Sequence, residues 1–154
     1  MPSGWRLVAV RYANDAFSGE GARLYGARWN SPGRTVVYLS EHRSLAALEL
    51  FAHGHPPSRE DRYAMIGARW DERFMQTTAD AELPEDWRAV PPALSTTALG
   101  DQWIGEARSA VLAVPSVVVP AENNYLLNPA HPDFRHVSIG NPEPFTFDPR
   151  LLHS

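Results

Sequence analysis

The chain has 154 residues, of which 44% are hydrophobic and 21% charged, as expected for a folded domain rather than a disordered polypeptide. Its net charge of −4 argues against a protein that binds nucleic acid through many phosphate contacts, but is compatible with a local basic pocket for a small anion. The absence of cysteine excludes disulfide scaffolds, thiolate metal sites and cysteine nucleophiles, and favours the cytoplasm. With no linker, no repeat and no apolar run long enough for a signal peptide or a membrane span, we expect a single domain over residues 1–154.

The clearest predicted elements are a strand and the helix that follows it. Residues 35–39, Thr-Val-Val-Tyr-Leu, are β-branched and aromatic and predict a strand. Residues 41–53 predict a helix, because a run of leucine and alanine follows an acidic first turn and Gly54 offers a C-terminal stop. The helix is expected to bury an apolar stripe formed by Leu45, Leu48 and Ala52. Glu49 lies at the border of this stripe.

The remaining segments show weaker patterns and predict mostly short strands. We expect strands at 7–11, 63–70, 110–114, 134–139 and 145–147, an extended stretch at 117–119, a short helix at 97–107, and irregular structure at 13–27 and 83–90. Strands outnumber helices in this series. The predicted fold class is therefore mixed α/β, of the α+β type.

Three residues around the strand and helix suit the chemistry of NAD. Arg28 precedes the strand and could hold a pyrophosphate bidentately, and Tyr38 on the strand offers a ring face to a cationic nicotinamide. Glu49 on the helix could bind a ribose hydroxyl and stabilise the oxocarbenium-like charge that develops as the glycosidic bond breaks. The residue types alone also allow ordinary alternatives: a surface ion pair for Arg28, a core position for Tyr38 and a solvated carboxylate for Glu49.

A longer block around these residues closely resembles the RES domain, a family named for its arginine, glutamate and serine. The resemblance is carried by residues 21–33 (GARLYGARWNSPG), 36–41 (VVYLSE) and 44–49 (SLAALE). Two later stretches fit as well, residues 112–116 (LAVPS) and 123–132 (NNYLLNPAHP). The resemblance extends from about Arg6 to Phe147, and residues 56–98 contribute little to it.

The resemblance implies the toxin of a bacterial toxin–antitoxin pair of the RES–Xre type. It implies a fold similar to that of ADP-ribosyltransferase toxins, with small β-sheets and flanking helices around an NAD cleft. NAD would be the substrate, consumed by hydrolysis or phosphorolysis, or its ADP-ribose would be moved onto a protein, without a bound cofactor or a metal. The expected partner is an Xre-like helix-turn-helix antitoxin that blocks the active site in a hetero-oligomer. A toxin dimer is a further option, and no direct contact with DNA or a membrane is expected.

By motif, the functional residues of the family match Arg28, Tyr38, Glu49 and Ser116. The resemblance places Ser116 in the ribose or phosphate pocket, whereas the residue alone would be interpreted as a turn position. Trp29 and Asn30 flank Arg28 and are further candidates for the substrate pocket, with a core position as the alternative for Trp29. Asn128 is a weaker candidate, since Asn-Pro is a common turn signal. Arg6 could add a second charge at the pyrophosphate, although an arginine this early in a chain is ordinarily exposed.

Other classes of function find less support in the sequence. The histidines do not show the i, i+4 helical spacing of a metal site: His53 and His55 are two residues apart, and His131 and His136 are distant from them. Ser116 as a hydrolase nucleophile lacks a glycine elbow, because its context is Val-Pro-Ser-Val. An inactive module that only holds the antitoxin is a third alternative, and the intact central residues argue against it.

Overall fold

Three α-helices and eight strands form in the part of the chain that the computed structural model describes, residues 1–53 and 56–152. The helices are α1 (Glu20–Tyr25), α2 (Arg43–Ala52) and α3 (Leu94–Gly105). The strands are β1 (Ser3–Ala9), β2 (Val37–Ser40), β3 (Tyr63–Arg69), β4 (Met75–Thr77), β5 (Val111–Pro115), β6 (Asn123–Leu127), β7 (Ser138–Ile139) and β8 (Glu143–Phe145). This composition confirms the predicted mixed α/β class. None of the described helices is long and apolar enough to cross a membrane.

The strands join one sheet in the order β4-β5-β6-β2-β1-β3-β7, and β8 also pairs with β3. Every pairing is antiparallel except the one between β4 and β5. β1 pairs with β3 over its whole length but meets β2 at one position, where Trp5 lies opposite Ser40. The sheet therefore has two halves, β4-β5-β6-β2 and β1-β3-β7/β8, that join at a single residue pair.

Two clusters of buried side chains form around the strands, as expected when successive residues of a strand face opposite sides of a sheet. One cluster includes Val37, Leu39, Trp70, Val111, Ala113, Tyr125 and Leu127. The other includes Trp29, Val36, Trp103, Leu112, Val114 and Leu126. Tyr38 and Trp87 pack against this second cluster, so it supports the side of the sheet on which the candidate site lies.

The strand predicted at 35–39 and the helix predicted at 41–53 are confirmed as β2 and α2, with shorter bounds. The stop predicted at Gly54 lies outside the described residues. Three later predictions also hold within three residues: 63–70 is β3, 97–107 is α3 and 110–114 is β5. The strand predicted at 145–147 is shifted, because β8 ends at Phe145, the last residue that pairs with β3. The region 83–90 is irregular, as predicted.

The predicted apolar stripe of α2 is wrong. Leu48 is 48% exposed and Ala52 is also exposed, whereas Leu45 and Ala46 are buried. The buried face of the helix is thus rotated from the predicted one. Because Glu49 follows Leu45 by four residues, it lies on this buried face rather than at its border.

The N-terminal predictions shift in the structure. The first strand lies at Ser3–Ala9 rather than 7–11, because β3 pairs with these seven residues and a 3₁₀ helix begins at Val10. The segment 13–27, predicted as mostly loop, contains α1. Gly19 and Gly26 flank this helix with positive φ angles, which glycine adopts without strain, so the glycines mark its ends rather than a loop.

The strand predicted at 134–139 is mostly wrong. Residues Pro132–His136 form a 3₁₀ helix, in which proline occupies the first turn and the His131 side chain accepts a hydrogen bond from the backbone N–H of Asp133. These two local features fix the helical turn despite the apolar residues within it. Only β7, Ser138–Ile139, pairs with β3.

Candidate active site

Glu49 is held on the buried face of α2 by a residue distant in sequence. Its side chain is 18% exposed, and α2 packs against β1 and β2. Ser116, directly after β5, is fully buried and donates from Oγ to Glu49 Oε1 at 2.8 Å. The other carboxylate oxygen, Oε2, lies 3.8 Å from His53 Nε2, beyond hydrogen-bonding distance. The structure therefore fixes one oxygen of Glu49 and leaves the second without a close hydrogen bond among the described residues.

The Ser116 hydroxyl is fully engaged. Its Oγ accepts hydrogen bonds from the backbone N–H groups of Val118 and Val119, both at 3.1 Å, while it donates to Glu49. These contacts bend residues 117–119, so the predicted extended stretch is wrong. The two N–H groups donate to the serine side chain, whereas in a strand they would be free to pair with an adjacent strand. With its lone pairs occupied, Ser116 is placed as a donor to Glu49 and not as a nucleophile.

Tyr38 packs against the second core cluster, and its hydroxyl is hydrogen-bonded inside the protein. The hydroxyl donates to Asn30 Oδ1 at 2.6 Å and accepts from the backbone N–H of Trp29 at 3.2 Å. Burial raises the pKa of Tyr38 well above its usual range, so the phenol stays protonated. The hydroxyl is therefore engaged within the protein, and its two hydrogen bonds fix the orientation of the ring.

Arg28 lies in a tight turn, residues 27–31, closed by paired backbone hydrogen bonds between Ala27 and Asn30. We call this segment the Arg28 turn. The Nη1 of Arg28 donates to the carbonyl oxygens of Trp87 at 3.0 Å and Ala89 at 2.7 Å. These two bonds use one end of the guanidinium and hold its plane in place.

The electrostatics of Arg28 place it near the other two candidates. Burial lowers the pKa of its guanidinium, and the charge of the Glu49 carboxylate opposes that effect. Arg28 and Glu49 nevertheless form no ion pair among the described residues. The structure thus brings Arg28, Tyr38, Glu49 and Ser116 into one site, with the cation and the carboxylate within electrostatic reach of each other.

The other sequence candidates are buried and have structural contacts. Trp29 is 2% exposed and its ring belongs to the second core cluster. The Asn30 amide nitrogen donates to the carbonyl oxygens of Ala22 and Ser31, at 2.9 and 3.1 Å. Asn128 Oδ1 accepts from the backbone N–H of Ala130 at 3.1 Å, as in an Asn-Pro turn. A direct substrate contact by these three residues stays a prediction. Trp29 and Asn30 belong to the Arg28 turn, whereas Asn128 follows the end of β6 that lies opposite to the end beside Ser116.

Arg6 is expected from the sequence to be exposed to solvent, but in the structure it lies beside Tyr38. It is partly buried in β1, and its Nη1 donates to the backbone carbonyl of Tyr38 at 3.0 Å. Its Nε is enclosed without a hydrogen-bond partner, and no carboxylate pairs with it among the described residues. Burial lowers the pKa of Arg6. The expectation of an exposed side chain is therefore wrong, because Arg6 lies where β1 and β2 meet at only one pair.

Several supporting residues could not be found by sequence reasoning. The carbonyls that hold Arg28 come from an irregular stretch, and backbone groups leave no signature in the residue type. Thr97 and Asp101 of α3 contact the Arg28 turn, but a helix that begins at Leu94 shows only an ordinary apolar periodicity. Within the described residues, no group of three His, Asp or Glu side chains could hold a metal ion.

Comparisons with known proteins identify the family of the chain. The model of the RES domain matches residues 4–148. "Toxin Res" of Yersinia enterocolitica is 36% identical over 148 residues, which cover 96% of this chain and 97% of that protein. "Prs ADP-ribosylating toxin" of Sphingobium sp. is 37% identical over 157 residues, covering 97% of this chain and 96% of the relative.

The fold also has a solved counterpart. A crystal structure of the M. tuberculosis MbcT–MbcA toxin–antitoxin complex contains a chain that superposes with a TM-score of 0.75 at 19% identity, covering 94% of this chain and 84% of the other. At this identity the similarity establishes the fold alone. The family model and the relatives agree over almost the whole length, and the chain therefore belongs to the RES-domain family.

Proposed function

We propose that this protein is the toxin of a toxin–antitoxin pair and that it cleaves the bond between nicotinamide and ribose in NAD. The anchored carboxylate carries the proposal: Ser116 fixes Glu49 Oε1 at 2.8 Å, and Oε2 has no close hydrogen bond among the described residues. A carboxylate in this state can meet both a ribose hydroxyl and a developing positive charge. The names of the relatives support a toxin, and one of them supports chemistry on ADP-ribose.

Each central residue has a role that follows from its contacts. The Tyr38 ring, fixed through its hydroxyl, stacks on the cationic nicotinamide. Arg28, fixed at Nη1 by two carbonyls, binds the pyrophosphate with its remaining donors. Arg6 adds a second positive charge beside Tyr38 that an anionic substrate would neutralise.

The bond-breaking step needs no strong acid. The electron pair of the glycosidic bond leaves with nicotinamide, which departs neutral, and positive charge develops on the ribose. Glu49 stabilises this charge as a carboxylate, while the Ser116 hydroxyl donates to it. An acceptor then bonds to the ribose carbon and loses a proton. When the acceptor is water the product is ADP-ribose, and when it is inorganic phosphate the product is ADP-ribose 1-phosphate. No metal and no bound cofactor takes part in the step we propose.

Transfer of ADP-ribose to a protein is the second candidate activity. The 37% identity to a protein named as an ADP-ribosylating toxin favours it, and the same residues would serve, because cleavage precedes the choice of acceptor. Label from NAD carrying a radioactive ADP-ribose moiety would move to lysate proteins in this case. It would remain in small molecules if water or phosphate is the acceptor.

The proposed partner is an Xre-like helix-turn-helix antitoxin that covers the site. The solved structure with the same fold is a toxin–antitoxin complex, which supports a protein partner of this kind. The net charge of −4 supports contact with DNA through the antitoxin rather than directly. We propose that the pair acts in the cytoplasm. Tight binding of the isolated chain to its own operator in a gel-shift assay would contradict this arrangement.

Purified protein incubated with NAD, with and without phosphate, tests the proposed activity. Chromatography should show release of nicotinamide, and the second product identifies the acceptor. In Glu49→Gln, which keeps the size of the side chain and removes its charge, we expect the rate to fall about 10³-fold. Glu106→Gln is the matched control, because that glutamate is exposed and pairs with Arg108 away from the site. If wild-type protein releases no nicotinamide, or if Glu49→Gln and Glu106→Gln behave alike, the proposal fails.

A further inference from the structure

Helix α3 approaches the Arg28 turn more closely than ordinary packing allows. The Thr97 hydroxyl donates to the backbone carbonyl of Arg28 at 3.2 Å. One turn later, a Cβ on Gly100 would lie only 1.7 Å from the backbone oxygen of Trp29. Only glycine permits this approach, so the backbone of the turn rests directly on the backbone of the helix.

The same face of α3 also supplies a bidentate contact. Asp101 Oδ1 accepts from the backbone N–H of Ser31 at 2.9 Å, and its Oδ2 accepts from Ser31 Oγ at 2.6 Å. Thr97, Gly100 and Asp101 follow an i, i+3, i+4 spacing, which places them side by side on a helix. Three successive points of the Arg28 turn are thus fixed by three neighbouring positions of α3.

The Arg28 turn in turn fixes Tyr38. The backbone N–H of Trp29 donates to the Tyr38 hydroxyl, and Asn30 Oδ1 accepts from it. A displacement of the turn would therefore move the guanidinium of Arg28 and release the ring of Tyr38 together. The reaction, as proposed above, depends on both groups.

We infer that α3 is the positioning element of the active site and that Asp101 is a positioning residue for the reaction. It touches no reacting atom; it acts through Ser31 on the placement of Arg28 and Tyr38. This inference rests on the proposed cleavage of NAD. A misplacement of about 1 Å in a substrate-positioning group can cost about 10²-fold in rate, so the loss of the bidentate contact should be visible in kinetics.

Steady-state cleavage of NAD by Asp101→Ala and Asp101→Asn tests the inference. In Asp101→Ala we expect kcat/KM to fall about 10- to 100-fold, with a higher KM and a lower kcat. In Asp101→Asn the side-chain oxygen still accepts from the Ser31 N–H and the amide can donate to Ser31 Oγ. This conservative variant should therefore recover most of the activity.

Two controls separate positioning from simple loss of stability. Gln102→Ala changes the next, exposed residue of α3 and should leave kcat and KM unchanged. Val137→Ala removes buried apolar atoms in the opposite core cluster and should lower Tm while leaving kcat/KM unchanged well below that temperature. If Val137→Ala has the same Tm as Asp101→Ala and also loses as much activity, the loss is an effect of stability and the inference is overturned.

A double-mutant cycle with Ser31→Ala tests the route through Ser31. Ser31→Ala removes only the bond from Ser31 Oγ, whereas Asp101→Ala removes that bond and the one from the Ser31 N–H. The double variant should therefore be no less active than Asp101→Ala alone. The inference would be overturned if the fold-losses of kcat/KM in the two single variants multiply in the double variant, or if Asp101→Ala is within twofold of wild type. The proposed function would stand in either case. Wild-type protein without NAD cleavage would instead overturn the proposed function, so the two failures are distinguishable.

Discussion

Two regions of the molecule divide the work of the site between them. Residues 26–53, the reactive segment, contain Arg28, Tyr38 and Glu49. Residues 87–116, the support segment, contribute Ser116 to Glu49, two backbone carbonyls to Arg28, and one face of α3 to the Arg28 turn. The first region contains the three groups to which we assign the chemistry, whereas the second supplies hydroxyls, a buried glycine, the Asp101 carboxylate and main-chain oxygens that hold them in place.

The difference shows that chemical identity and geometry are set by different parts of the chain. The reactive segment forms a short unit of turn, strand and helix. One end of each group is used by the protein: Oε1 of Glu49, Nη1 of Arg28 and the hydroxyl of Tyr38. The opposite end is directed to the ligand in our proposal. Preorganisation of this kind reduces the reorganisation that the reaction itself requires.

Among the substitutions that test this division between the two segments, Arg28→Lys is expected to lower kcat/KM the most. Lysine keeps the charge, but its single nitrogen cannot bond two carbonyls and a phosphate in the planar arrangement of a guanidinium. We expect kcat/KM for NAD to fall about 10²-fold with little change in Tm. Arg34→Lys, an exposed change near the same turn, is the control and should retain activity. Full activity in Arg28→Lys would mean that charge alone is needed and that the contacts with the Trp87 and Ala89 carbonyls are incidental.

The reactive segment could be predicted from sequence because its signal is local. β-Branched and aromatic residues identify β2, the leucine and alanine run identifies α2, and the motif block points to Arg28, Tyr38 and Glu49. The support segment could not be predicted, since backbone carbonyls and a close helix approach at Gly100 depend on tertiary packing. The rotated face of α2 is a smaller example: burial of Ala46 in place of Leu48 is decided by what the helix packs on.

Ser116→Ala removes the link from the support segment to Glu49. The carboxylate loses its 2.8 Å donor, and the amides of Val118 and Val119 lose their acceptor, so Glu49 gains rotational freedom. We expect kcat to fall roughly 10- to 50-fold and the free energy of unfolding to fall by about 1–3 kcal/mol. Ser116→Thr keeps the hydroxyl and should be less impaired in kcat. Equal kcat values for the alanine and threonine variants would show that the hydroxyl does not orient Glu49.

Arg6→Met tests a cation that belongs to neither segment. Burial lowers the pKa of Arg6, so the folded state holds its proton less tightly than the unfolded state. Because arginine stays protonated at neutral pH, this desolvated charge opposes folding. We expect a roughly tenfold higher KM for NAD together with an unchanged or higher Tm, since an apolar side chain fills the space without an unpaired charge. A lower Tm with unchanged KM would assign Arg6 a purely structural role through the Tyr38 carbonyl.

His53→Gln should have the smallest effect and makes the sharpest contrast with Ser116. Both residues approach the Glu49 carboxylate, but Ser116 is fully buried at 2.8 Å, while the His53 side chain is 73% exposed and 3.8 Å away. An exposed contact of this length contributes little, because solvent screens it and the side chain is free to rotate. We expect kcat and KM within twofold of wild type, measured by nicotinamide release. A loss comparable to that of Ser116→Ala would mean that Glu49 is oriented by its own helix as much as by the support segment. The support segment would then not be the main element that orients Glu49, the residue on which the proposed chemistry depends most.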